Sequence, residues 1–343
     1  MKALVDFIGV IMPLRARFLL FGLFLGVGDA AILSAQEAQG RTISLATLAP
    51  PGSTWMRVFE AWNRELRRRT ERALQFRIYP GGIQGDESEV IRKIRSGRLD
   101  AASVTAVGLS QVYRPALVFQ LPRILPSYEA LDRAREAVAA EIEAGFVQNG
   151  FRLLGWADVG RSRVFSTQPT LTPADLTSRK PWVWRDDVIM PVFYQTIGAT
   201  PVPLQVPEVL SAIQTGRVDT LITPPVPCLS LQWCARLGHM TDFPMTIVIG
   251  GTIMGQPQWA SLTPEQEGVL AETAKQFHEL ARRNLRRDEE EAIRNLRERG
   301  MSIHSLTEAQ RNEWLAVAAR VRARLVGQVA EQPLIERVAA FGR

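Results

Sequence analysis

KPWVWRDDVIMPVFYQTIGATPVPLQVPEVLSAIQTGRVDTLITPP, residues 180–225, decides how the chain is read. WVW opens it as a strand, and a short helical segment runs on to Gly198. ATPVPL resumes extended, and an amphipathic helix then passes through Glu208 to Thr215, with Gly216 as its stop. VDTLIT is a further strand before Pro224 and Pro225. Strands and helices alternating over so short a span make a compact α/β unit. The carboxyl ends of such strands point toward one crevice, where open α/β sheets hold ligands.

Upstream, TISLATLA (Thr42 to Ala49) alternates as a strand and stops at Pro50-Pro51-Gly52. Ser53 caps a helix from Thr54 to Thr70, whose apolar positions Trp55, Val58, Phe59, Trp62 and Leu66 keep helical spacing. LQFRIYP follows as a strand, GGIQGDE as a loop, Glu87 to Arg95 as a helix and LDAASVT as the third strand. That order predicts a parallel, right-handed start. Val107 to Leu125 reads as irregular and apolar, Tyr128 to Asn149 as helix, FRLLGWADVG and RVFST as extended. Downstream, the pattern predicts an apolar helix around Leu229 to Leu237 and strand material over Met240 to Gly255. A long helix from Thr263 to Arg299, another over Leu306 to Val329 and a short one in the tail to Arg343 complete the chain.

With 343 residues the chain has room for two domains, and 46% hydrophobic with 22% charged residues is ordinary for a soluble globular protein. The net charge of +6 is spread along the chain and favours solubility over a nucleic-acid partner. RRNLRRDEEEAIRNLRERG sets arginines and acids about one turn apart, the pattern of a solvated helix face. The amino-terminal segment differs. Arg15 and Arg17 precede the apolar run FLLFGLFLGV, and small residues follow, which is the layout of a secretory signal cleaved between Ala30 and Gly40. The run is too short for a membrane span of about twenty residues. An exported, periplasmic chain is expected, with an uncleaved anchor as the other reading.

Chemistry-bearing motifs are sparse. His239, His278 and His304 lie far apart in sequence and outside any metal-ligand spacing, so no metal is expected. GGIQGDE is glycine-rich but fits neither phosphate-binding motif, and no nucleophile elbow is present. No cofactor and no catalysis are called for. Cys228 and Cys234 can pair in an oxidising compartment, but on one regular helix their Cα atoms would stand roughly 9 Å apart. A disulfide therefore requires a turn between them, and both states stay open.

DL at 175–176, WVW, GATPVPL, EVLSAIQTGRVDT and PP resemble, in order, the solute-binding receptors of tripartite ATP-independent periplasmic (TRAP) transporters, of the dicarboxylate-receptor type. PPGSTW, YPGGIQGDE, RSGRLDAAS and LLGWADVG extend the likeness over nearly the whole mature chain. The resemblance implies two α/β domains joined by hinge strands, with a long helix spanning both. The expected division is a leader over 1–39, a first domain over 40–158 plus 244–343, and a second over 159–243. It also implies a receptor that closes over its ligand, passes it to membrane permease subunits, and does no chemistry.

One departure matters. Carboxylate-binding members carry an arginine on the strand after the DLKG-like turn, and here that position falls on or next to Trp182. The likeness is to a branch without that arginine, which is associated with a periplasmic tetratricopeptide-repeat partner and with apolar ligands. Trp182 and Trp184, two apart and hence on one face of a strand, admit three readings: core filling, an apolar pocket, or an aromatic cage for a cation. The crevice is expected to be lined by Trp55, Gln84, Glu87 and Thr105 from the first domain. Arg163, Trp182, Trp184, Thr223 and Gln232 are expected from the second. The leading expectation is a receptor for an apolar or amphipathic molecule. The alternatives are an organic-acid receptor using Arg163 or Arg161, and a periplasmic enzyme on a similar frame.

Overall fold

The computed structural model describes residues 40–342, so the expected signal segment lies outside the described residues. The first body begins with β1 (Arg41–Thr47), α1 (Thr54–Arg69), β2 (Leu74–Tyr79), α2 (Glu87–Arg95) and β3 (Ala101–Thr105). It continues through α3 (Ala106–Val112), α4 (Tyr128–Gln148) and β4 (Phe151–Arg161). The chain then enters a second body: β5 (Arg163–Ser166), β6 (Trp182–Trp184), α5 (Met190–Ile197), β7 (Val202–Leu204), α6 (Val206–Gln214), β8 (Thr220–Thr223), α7 (Pro225–Ser230) and β9 (His239–Thr241). It returns through β10 (Ile247–Gly255), α8 (Gln256–Ala260), α9 (Pro264–Glu298), β11 (Ser302–His304), α10 (Glu308–Leu325) and α11 (Gln332–Ala339).

A five-stranded sheet, β2-β1-β3-β10-β4, centres the first body. β1 runs parallel to β2 and β3, whereas β10 is antiparallel to β3 and β4. The second body holds a four-stranded sheet, β11-β9-β5-β8, and the parallel pair β6-β7, linked by a bridge between Pro181 and Thr220. Two strand crossings join the bodies, and α9 later carries the chain back to β11 of the second. One crossing has only Ser162 between β4 and β5, and the other lies between β9 and β10. Hydrogen bonds from Ser162 N to Thr246 O (2.9 Å) and from Met245 N to Ser162 O (3.0 Å) tie the crossings together. Helix α9 packs against α1 and β4 of the first body and α7 of the second. At Gly155, where β4 passes under it, an added Cβ would lie 2.5 Å from the His278 ring, so only glycine lets helix and strand come this close.

Four expectations need correction. The stretch from Val107 is not irregular: Thr105 accepts a hydrogen bond from Val107 N (3.2 Å) and starts α3. That helix is buried almost all round, so it shows no polar face for a periodicity to reveal. The helix expected around Leu229 ends at Ser230, because Gln232 takes a left-handed φ of 61°. This turn brings the Cys228 and Cys234 Cα atoms to 5.3 Å, and the two are joined by a disulfide. His239 and His304 are not apart: β9 pairs with β11, and their ring nitrogens lie 2.9 Å from each other in one hydrogen bond. The arginine–acid run of α9 is not wholly solvated either, since Glu289 is fully buried beneath the first crossing.

Candidate functional site

A cavity of about 180 Å³ lies between the two bodies. From the first body, the carboxyl end of β1 brings Thr47 and Leu48, α1 brings Trp55, and β3 brings Ser103 and Thr105. From the second come Trp182 and Trp184 on β6, Thr223 at the end of β8, and Leu231 and Trp233 on the disulfide loop. Two carboxyl groups line it, Glu87 and Asp187, and none of its lining residues is lysine, arginine or histidine. The volume exceeds the roughly 150 Å³ of a cavity that holds benzene, so a small organic molecule fits.

The tryptophans both pack and line. Trp182, only 8% exposed, donates its indole N–H to Leu204 O (3.1 Å) and meets Trp233 edge to face at 5.3 Å. Trp184 stacks on Trp182 at 6.1 Å, so their shared strand face forms one aromatic wall. The Tyr194 hydroxyl donates to Trp182 O (3.1 Å) and holds the strand from behind.

The acids are built in through backbone donors. Glu87 accepts from Thr105 N (2.7 Å), the Thr105 hydroxyl (3.0 Å) and Gly108 N (2.7 Å). Burial nevertheless pushes its carboxyl up to about 8, and the neighbouring Asp86 adds to the rise. Asp187 accepts from Ile189 N (2.7 Å) and Met190 N (3.1 Å), and burial raises its carboxyl as well. Burial, then the nearby Asp187, also pushes the Tyr194 phenol up.

Six of the nine residues expected at the crevice surround this cavity: Trp55, Glu87, Thr105, Trp182, Trp184 and Thr223. Gln84 does not; its carbonyl and side chain hold the Lys93 ammonium (2.7 and 3.1 Å) beside a small side pocket. Gln232 is turned to solvent by its left-handed backbone, and its neighbours Leu231 and Trp233 line the wall instead. Arg163 lies behind the wall. Its Nε donates to Asp242 (2.9 Å) and its Nη1 to Glu289 (2.8 Å). Arg161 also donates to Glu289, through Nε (2.8 Å) and the backbone N–H (3.0 Å). Burial alone would raise Glu289, but the Tyr128 hydroxyl, the Arg161 amide and Arg163 outweigh it and hold the carboxyl below its ordinary range.

The reading from sequence missed Ser162, Asp187, Tyr194 and Trp233. The acids just ahead of an apolar helix mark Asp187 as a possible helix-start acceptor, and Trp233 adjoins the residue that was named.

The DctP model, described as bacterial extracellular solute-binding protein, family 7, matches residues 45–328. The 2,3-diketo-L-gulonate-binding periplasmic protein YiaO of Escherichia coli is 25% identical over 71% of this chain and 74% of its own length. The C4-dicarboxylate-binding periplasmic protein DctP of Rhodobacter capsulatus is 23% identical over 79% and 81%. A TRAP periplasmic solute-binding protein from Shewanella oneidensis, solved with bound succinate, superposes with a TM-score of 0.84 at 16% identity, over 89% of this chain and all of that one. The fold is accordingly the mixed α/β, two-domain architecture of periplasmic binding proteins. The chain belongs to the DctP family of bacterial extracellular solute-binding proteins, a family of solute receptors.

Proposed function

We propose that the chain takes a small organic acid with an apolar body into this cavity and delivers it to the membrane subunits of a TRAP transporter. The acid half of this reading rests on relatives: receptors named for diketogulonate and C4-dicarboxylates, and structural neighbours solved with succinate or glucuronate. They favour an organic acid over a purely apolar solute. The apolar body rests on this chain's own lining, in which four tryptophans stand where charged donors are absent. That lining is the observation that carries the proposal, because a cavity without a guanidinium offers a short dicarboxylate no bidentate partner.

Arg161 and Arg163 flank the lining residue Ser162 in the chain but turn to Glu289 behind the wall, so an acid end meets a guanidinium only by drawing one toward the cavity. Doing so requires sharing them with Glu289. The tetratricopeptide-repeat partner rests on the resemblance alone. Among the described residues no helix is long and apolar enough to cross a membrane.

Ligand-induced thermal shift tests the reading, with succinate, glucuronate, phenylacetate and benzyl alcohol as probes on wild type and Arg163→Ala. Phenylacetate is expected to give the largest shift. Stabilisation by succinate or glucuronate alone, abolished in Arg163→Ala, removes the apolar body from the proposal. Stabilisation by benzyl alcohol alone removes the acid.

A further inference from the structure

On the side where α2 meets β6 and α6, the two bodies join through a ring of hydrogen bonds completed by the backbone at the start of α2. Asp86 caps α2 with one carboxylate oxygen, Oδ1 accepting from Glu87 N (2.6 Å). Its other oxygen turns to the second body, where Oδ2 accepts from the Trp184 indole N–H (3.1 Å) and from Val206 N (3.0 Å). The same indole N–H is shared with Gln205 Oε1 (3.0 Å). Gln205 Nε2 donates onward to Asp186 Oδ2 (3.1 Å), and that oxygen also takes the hydroxyl of Ser88, back on α2. Asp86 and Ser88, two residues apart at the start of α2, thus bracket Trp184, Gln205 and Asp186 of the second body, and the backbone between them completes the circuit.

Two features set this ring apart from an ordinary surface contact. Every donor in it is neutral, an indole, an amide, a hydroxyl or a backbone N–H, so it depends on geometry more than on charge. Asp86 is only 8% exposed with the bodies together, and separating them takes both cross-body donors from its Oδ2. Trp184, moreover, belongs to both the ring and the cavity. Its ring face lines the cavity and stacks on Trp182, while its N–H closes the circuit. A molecule packed against the indole fixes the plane of the ring and with it the direction of the N–H. An empty cavity leaves that plane to Trp182 alone.

We propose that this ring is a clasp holding the two bodies shut over the ligand, and that Trp184 is the positioning residue that makes its closure depend on cavity occupancy. The proposal rests on the receptor reading above, and its first test needs no ligand. Spin labels at Arg98→Cys and Arg217→Cys, one exposed position on each body, report the inter-body distance by pulsed electron resonance. Trp184→Phe keeps an aromatic wall and removes the N–H. Ser88→Ala breaks the circuit at its far side, away from the cavity.

Both variants are expected to move the distribution to longer distances, with the short-distance population falling about tenfold, the factor that 1.4 kcal/mol represents. The second test is the release rate of phenylacetate by stopped flow, expected to rise about tenfold in both variants while association changes less. Unchanged distance distributions in both variants overturn the clasp. A change in Trp184→Phe alone overturns the circuit and leaves only an aromatic wall. Absence of phenylacetate binding in wild type counts against the proposed ligand class, and the distance measurement still decides the clasp.

Discussion

Carboxylates near the cavity are treated in opposite ways by two regions of the molecule. At the crossing between the bodies, Glu289 is fully buried yet surrounded by Tyr128, Arg161 and Arg163, and stays below its ordinary range. In the cavity, Glu87 and Asp187 meet only hydroxyl and backbone donors, and burial pushes both up. Nearby, Arg286 grips Asp132 through two nitrogens (2.6 and 2.7 Å) and also reaches Asp158, which Arg135 holds from within. Guanidinium groups are thus committed to the frame and kept off the cavity lining.

The sharpest way to break this contrast is to remove its ionic side. Glu289→Ala leaves Arg163 buried with one partner gone and is expected to cost about 3–5 kcal/mol. Urea denaturation measures it, and a loss below about 1 kcal/mol would mean the crossing is not an ionic hub.

A second test compares two titratable groups on one helix. His278 on α9 is buried, donating from Nδ1 to Ala274 O (2.7 Å) and accepting at Nε2 from the Thr252 hydroxyl (2.8 Å). Burial pushes it down to about 4. The unfolded chain takes up this proton near its ordinary value of 6.5, whereas the folded chain resists until about 4. The contribution is therefore complete above pH 6.5 and is lost as pH falls from there toward 4, by roughly 3 kcal/mol. The difference in unfolding free energy between wild type and His278→Gln, followed against pH, should show that window. A flat difference would place the histidine in contact with solvent.

The smallest effect concerns the aromatic side of the cavity. Replacing Cys228 and Cys234 together by serine opens a short loop, with an expected loss of about 2 kcal/mol. Because Ser230, Leu231 and Trp233 line the cavity from this loop, the ligand-induced thermal shift should fall with it. Loss of stability without loss of ligand response would make the bridge a staple only.

Much of both bodies can be read from sequence because the signals are local. Ser53 caps α1, Gly198 ends α5 in a left-handed turn, and Trp55, Trp182 and Trp184 stand at the ends of strands and helices that face one crevice. What escaped depends on partners distant in the chain. Glu289 sits among arginines and acids at helical spacing, and only the strand crossing beneath α9 makes it the buried one. His239 meets His304 because the edge strand β11 pairs in parallel with β9, which neither neighbourhood encodes. Arg163 was expected to face the ligand because its position beside the hinge is local, while the acids that engage it, Asp242 and Glu289, are not.

The placement of β10 has a consequence for how the chain acquires its shape. This strand fills the gap between β3 and β4, yet it follows β5 to β9 of the second body in the chain. Until residues 247–255 arrive, β3 and β4 each present an open edge, and the first body lacks the strand that joins its two halves. The second body, whose β5 to β8 pairings are closer in sequence, can gather sooner. The first sheet is thus closed only by pairings across long stretches of chain, the kind of contact that slows folding. A chain cut short before β10 would carry two sticky margins rather than a smaller receptor.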